Sequence, residues 1–203
     1  MHELEFPILT FDEHRLSPAL GYIFHRRWLD PYESIVSILW KFAKMNGLPG
    51  HVLTTQVAAT QVDPYEGVEP SRSKVDLPRL GKMLNLPLKT LHIAVIPSSH
   101  AAISSPYFRY CKKCLSRGYH SVVHQLETAH LCPIHSHALW TDCRYCAYRA
   151  PYRLNAGLLD APHRCSRCRR RYGGSAVDSI EHRRTLPTEA RVAIGRMWYR
   201  HYS

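Results

Sequence analysis

With 203 residues, 45% of them hydrophobic, the chain is long enough for one generous domain or two small ones and too apolar for wholesale disorder. Nothing in it approaches the roughly 20 consecutive apolar residues of a membrane-spanning helix; the best candidate, Leu91 to Pro97, is far shorter. The formal net charge of +11 is segregated, because residues 1–108 hold 10 basic and 10 acidic side chains whereas residues 109–203 hold 17 and 6. That division suggests a neutral half and a half that faces a polyanion, against the plainer alternative that the arginines only keep a small domain soluble.

The amino terminus, MHELEFPILTFDEHR, is acidic and polar where a secretory leader would be basic and then apolar. A cytoplasmic, nucleoid-associated location is therefore expected, in which seven cysteines bind metal rather than pair as disulfides. The first strong element is DPYESIVSILWKFAKMNG, residues 30–47. Asp30 as cap, Pro31 at the first helical position and Glu33 three residues on make a capping box. Ile35, Ile38, Leu39 and Phe42 recur at helical spacing, and Asn46–Gly47 supplies the stop.

Residues 60–74 carry the Pro, Gly and Ser of a loop. The following stretch, 75–96, reads as a short helix from Leu77 to Leu84, a tight turn at Asn85–Leu86–Pro87, and a second helix from Leu88 to about Ile96. The spacing is compatible with a helix-turn-helix. Its second helix is mostly apolar, so Lys89, Thr90 and His92 alone offer contacts to DNA, and packing or partner docking is the stronger use of the pair. Residues 97–106, PSSHAAISSP, are small, polar and proline-bounded and mark a boundary. The chain ends in TEARVAIGRMWYRHY, a helix starting near Thr188 with Val192, Met197 and Trp198 expected to be buried.

Between boundary and tail lie two cysteine clusters. Cys111-x2-Cys114 is followed after 17 residues by Cys132-x2-His135, and Cys143-x2-Cys146 after 18 residues by Cys165-x2-Cys168. Two residues between ligands let a tight knuckle aim both side chains at one ion, and two knuckles complete a tetrahedral Zn²⁺ site. All seven cysteines are used. Two structural zinc ions are expected, which through seven thiolates would lower the net charge to about +8. His120, His124, His130 and His137 lie near the first cluster, but His135 alone repeats the x2 spacing.

The expected fold is mainly α with small zinc-ribbon or zinc-finger elements. It divides into a helical amino-terminal domain over residues 1–100 with the helix-turn-helix-like element at 75–96, a double zinc-finger domain over 107–175, and a helical tail over 176–203. Closed spheres of four protein ligands argue against a catalytic ion, which needs an open position for water. The run YHSVVHQLETAH offers a nuclease only Glu127 as an acidic partner, so no enzyme is expected. Arg144, Arg149, Arg153, Arg164, Arg167, Arg169, Arg170 and Arg171 crowd the second cluster, interleaved with Tyr145, Tyr148, Tyr152 and Tyr172. Guanidinium forks suit phosphates and tyrosines stack on bases. An acidic protein surface would satisfy the same arginines.

Three segments together resemble the TniQ family of transposon target-selection proteins, which includes CRISPR-associated members. They are PYESIVSILWKFAKMNGL, LPRLGKMLNLPLKTLHIAVI and RYCKKCLSRGYHSVVHQLETAHLCPIHSHALWTDCRYC. The third is the most specific, with its knuckle, Gly-Tyr segment and CPxH, and the fit covers roughly residues 25–172. At this length the chain is expected to be without the long carboxy-terminal extension of larger relatives. The resemblance implies a non-catalytic adaptor, set beside a guide-RNA CRISPR effector or on target DNA, that recruits a TnsC-like AAA+ transposition regulator. It implies that Cys111, Cys114, Cys132 and His135 form a first finger and the four later cysteines a second. The competing expectation is a sequence-specific, zinc-containing DNA-binding transcriptional regulator, disfavoured by the few base-reading side chains of its second helix.

Overall fold

The structure, a computed structural model, describes residues 21–173 and 186–202. The amino-terminal residues 1–20, the start of the expected tail within 174–185, and Ser203 lie outside the described residues. Seven α-helices carry the described chain, and extended pairing among the described residues is limited to isolated bridges. This is the mainly helical architecture that the sequence leads one to expect. No helix is long and apolar enough to cross a membrane.

Helix α1 spans Ile35–Asn46 and starts later than an Asp30 cap would place it. Tyr32 takes a left-handed φ of +56°, which interrupts any helix begun at Pro31. Ser34 becomes the cap instead, its hydroxyl accepting the Ser37 N–H at 3.3 Å. Glu33 still accepts the Asp30 N–H at 3.1 Å. The Asp30 carboxylate, however, is turned to the Leu186 N–H at 3.1 Å and ties the start of the last helix to the start of the first. The other Glu33 oxygen accepts from Ser37 Oγ at 2.6 Å and from the Lys41 ammonium, an ion pair sealed inside the protein. At the far end Gly47 takes φ +63° and terminates the helix, as its Asn-Gly exit suggests.

Helix α2, Gly50–Val57, owes its place to contacts made far along the chain. The Gly50 N–H donates to Asp160 Oδ1 at 2.6 Å, and a Cβ at Gly50 would stand 2.7 Å from the Ala156 carbonyl. Only glycine lets this backbone approach α6, Ala156–Leu159. The Trp40 indole of α1 donates to the Leu158 carbonyl at 2.8 Å, so α6 is pinned to α1 as well as α2. Because α6 lies between Cys146 and Cys165, the second cysteine cluster is stitched into the helical core. Trp40, Phe42, Leu53, Leu80, Phe108 and Tyr110 from both sides of residues 97–106 belong to that one core.

Helix α3 runs Leu77–Leu84, capped by Asp76, and α4 runs Leu88–Ala94. Asn85 at φ +51° makes the turn between them. α4 stops two residues before Ile96, since the Ile96 N–H pairs with the Pro70 carbonyl at 3.2 Å instead of continuing the helix. Helix α5, Lys112–Ser116, opens at Cys111, and α7 covers Thr188–Tyr202. In α7 Trp198 is buried and Met197 partly so, whereas Val192 is 45% exposed, against expectation. The α7 apolar face meets Tyr32 through Trp198 and packs on the turn Val122–Gln125, with Ile194 fully buried and Val192 left on the outer side.

Candidate metal centres and basic face

Three of the four knuckles have one construction. Each leading cysteine takes part in a pair of backbone bonds: Ser136 N–H to the Cys132 carbonyl at 2.8 Å and Cys132 N–H to His137 O at 2.8 Å. The same pair recurs around Cys143 (Ala147, Tyr148) and Cys165 (Arg169, Arg170) at 2.8–2.9 Å. The fourth residue after each leading cysteine takes a left-handed backbone: Ser136 at φ +52°, Ala147 at +54° and Arg169 at +60°. Flanking bridges, Leu131 to Ala138, Asp142 to Arg149 and Arg164 to Arg171, clamp the three loops. The knuckle at Cys111 differs because it leads into α5, where Leu115 N–H bonds the Cys111 carbonyl at 3.0 Å.

These turns bring Cys111, Cys114, Cys132 and His135 into one cluster and Cys143, Cys146, Cys165 and Cys168 into another, with the ligand atoms of each within 4.8 Å of one another. In the first, His135 Nδ1 lies 3.5, 3.3 and 3.7 Å from the sulfurs of Cys111, Cys114 and Cys132. Cys114 and Cys132 are 3.6 Å apart. In the second, Cys143 to Cys168 is 3.6 Å and Cys146 to Cys165 is 3.7 Å. A tetrahedron with metal–sulfur bonds near 2.3 Å and metal–nitrogen bonds near 2.0 Å has edges of about 3.5–3.8 Å. Both donor sets fit such an ion, and both clusters can hold a metal. Burial raises the Cys143 thiol, but the backbone N–H groups of Tyr145 and Cys146 outweigh it and hold the group at about 7.

The remaining histidines of the run do other work. His120 is fully buried; its Nε2 donates to the Arg109 carbonyl at 2.7 Å, so its Nδ1 accepts from Ser34 Oγ at 2.7 Å. Burial pushes its pKa down to about 4. His124 is equally buried and closes a capping box, Nδ1 accepting the Ser121 N–H at 3.4 Å. That leaves the proton on Nε2, which faces Cys132 Sγ at 3.6 Å. Neither ring meets solvent, so neither offers a substrate the open site that a nuclease would need. The role of His124 beside the sulfur was not readable from the run, since capping and cluster support both depend on the Ser121 turn.

The arginines divide in two. Arg149 is paired with Asp142 at 2.5 Å, and Arg153 donates to the carbonyls of Glu66 and Gly67 at 2.9 and 2.6 Å. Arg164 donates to the Arg169 carbonyl and Arg169 to the Asp160 carbonyl, at 3.1 and 3.0 Å. Arg171 is half-buried at the bridge to Arg164. By contrast Arg144, Arg167 and Arg170 are exposed and lean over tyrosines. Arg144 and Arg170 flank Tyr145 at 5.2 and 4.9 Å from its ring centre, and Arg167 stands 5.9 Å from that of Tyr148. Tyr145 is 50% exposed, whereas Tyr152 and Tyr172 are buried in the core and cannot stack on a base. On α4, Lys89 and His92 are exposed, with Leu88 beside them.

Residues 28–139 match the family model described as TniQ. The match takes in α1, the α3–α4 pair and the whole first cluster. No curated protein matches the chain.

Proposed function

From the premise that the chain belongs to the TniQ family, whose role is target selection in transposition, we propose that it is a compact, non-catalytic target-selection adaptor. In this reading it links a target-DNA or guide-RNA effector complex to a TnsC-like AAA+ transposition regulator. The observation that carries it is the family match over α1, the α3–α4 pair and the first knuckle cluster.

Both clusters hold structural Zn²⁺ in this proposal, through Cys111, Cys114, Cys132 and His135 and through Cys143, Cys146, Cys165 and Cys168. Each ion, when bound, joins two distant loops and supplies folding energy rather than chemistry. Through α6 the second ion also holds the α1–α2 pair, because Trp40 and Gly50 both bond to the segment between its ligand pairs.

Arg144, Arg167 and Arg170, with Tyr145 and Tyr148, form the nucleic-acid face. Guanidinium groups set on tyrosine rings present flat, positively charged contacts to phosphates and bases without choosing a sequence. Arg149, Arg153, Arg164, Arg169 and Arg171 contribute chiefly long-range charge, being engaged with the protein itself or set into it. Lys89 and His92 stand on a helix of only seven residues, which supports docking or backbone contact more than base reading. Sequence choice then falls to a guide RNA or another subunit. Co-assembly of the zinc-loaded chain with an AAA+ transposition regulator on DNA is the direct test.

A further inference from the structure

A groove between α7 and the Pro31–Tyr32 turn shares no lining residue with either metal cluster or with the arginine–tyrosine face. It is a shallow, open groove of about 850 Å³. Tyr32, Val192, Gly195 and Tyr199 line it, and Arg196 and Arg200 stand at its rim. Val192 is 45% and Tyr199 58% exposed, two apolar side chains two turns apart on a helix whose other face is buried.

The groove is built rather than incidental. Tyr32 is held at φ +56° by two bonds to its carbonyl, from Val122 N–H at 3.1 Å and Ser121 Oγ at 2.9 Å. Its ring meets Trp198 at 5.9 Å and Tyr199 at 6.5 Å. A Cβ at Gly195 would stand 3.0 Å from the Tyr32 hydroxyl, so the glycine lets the ring sit against the helix. Arg191 is engaged with the Leu186 carbonyl at 2.9 Å, but the Arg196 and Arg200 side chains form no hydrogen bond or ion pair among the described residues. Glu189 is the sole acidic residue on α7.

We infer that this groove receives a short, acidic, amphipathic helix from a partner protein. Its apolar residues would pack on Tyr32, Val192 and Tyr199, and carboxylates one turn apart would meet Arg196 and Arg200, which are themselves one turn apart. Charge complementarity selects an acidic occupant. The carbon-rich walls favour apolar side chains over a nucleic acid, since a duplex backbone would touch the arginines and leave the floor empty.

The test is fluorescence anisotropy on the full, zinc-loaded chain. The probe is a labelled designed helix of about 15 residues with leucines at helical spacing and glutamates on the flanks. A lysine-for-glutamate version and a labelled single-stranded DNA serve as comparisons. The expected result is saturable binding of the acidic helix that weakens about tenfold or more in Arg196→Glu/Arg200→Glu and in Val192→Asp, and is unchanged in Arg144→Glu/Arg170→Glu. Circular dichroism confirms that each variant keeps its helices. Equal binding of the lysine version, or loss of DNA binding in the α7 variants with no binding of the acidic helix, would overturn the proposal. A concentration-dependent dimer broken by Arg196→Glu/Arg200→Glu would reassign the groove to a second copy of the chain and overturn it too.

Discussion

His124 Nε2 lies 3.6 Å from the sulfur of Cys132, while its Nδ1 accepts the Ser121 N–H at 3.4 Å. The backbone bond fixes the tautomer, so the imidazole presents an N–H to the Cys132 sulfur while lying outside the set of four clustered ligands. Replacing it by leucine keeps most of the buried volume and removes the donor. His124→Leu is expected to weaken metal at the first cluster by about 10–100-fold and to leave the second unchanged. Competition with a chromophoric chelator, resolved into two release steps, checks this. Equal weakening of both steps would show a general loss of fold instead.

The repeated knuckle makes a prediction about backbone alone. Ala147 sits at φ +54°, where a Cβ is disfavoured and glycine is not. Ala147→Gly removes that penalty and loosens the unfolded chain, a net gain of about 0.5–1 kcal/mol. A rise in denaturation midpoint with unchanged metal content is the expected outcome, and a fall would show that the Ala147 methyl packs more than its exposure implies.

Acid should act through His120. Its pKa is about 4 in the folded protein, because burial disfavours the imidazolium, against an ordinary value of 6.5. The unfolded chain therefore takes up a proton that the native state refuses. The stability from this group is complete above pH 6.5 and is lost as pH falls from 6.5 towards 4, amounting to roughly 3 kcal/mol. His120→Gln should flatten that part of the stability profile measured by urea denaturation, and an unchanged slope would assign the loss to other groups.

Arg144 and Arg170 flank the exposed Tyr145 ring and make no ion pair with the protein among the described residues. Arg144→Glu/Arg170→Glu should weaken nucleic-acid binding across all sequences and lower the slope of log affinity against log salt by about 2. Arg149→Glu/Arg153→Glu, the same change in charge at two side chains engaged with the protein itself, should change the slope less. Equal effects of the two changes would show a diffuse field rather than a face.

How much of this was legible in the sequence follows from how local each feature is. Leu77–Leu84 and its Asn85 turn match their sequence reading because cap, periodicity and stop all lie within a dozen residues. Both metal clusters were readable for the same reason, as x2 spacing makes each knuckle a local object. The beginning of α1 was not, because Asp30 serves Leu186, 156 residues away, and Ser34 takes its place. Nor was α2, whose β-branched Val52, Thr54, Thr55 and Val57 argue weakly for helix. Its placement depends on Asp160 receiving the Gly50 N–H. Among the arginines, composition could not separate Arg170 on a tyrosine ring from Arg153 on a backbone carbonyl.

The adaptor reading is tested most directly by mixing the zinc-loaded chain with an AAA+ transposition regulator, ATP and double-stranded DNA, and following the complex by size-exclusion chromatography with light scattering. The account predicts one assembly containing chain, regulator and DNA. That assembly should be lost in Cys143→Ser, because the second cluster holds α6 against Trp40 and Gly50. Failure to associate, together with tight binding of the chain alone to one short duplex sequence, would contradict it and point to a transcriptional regulator.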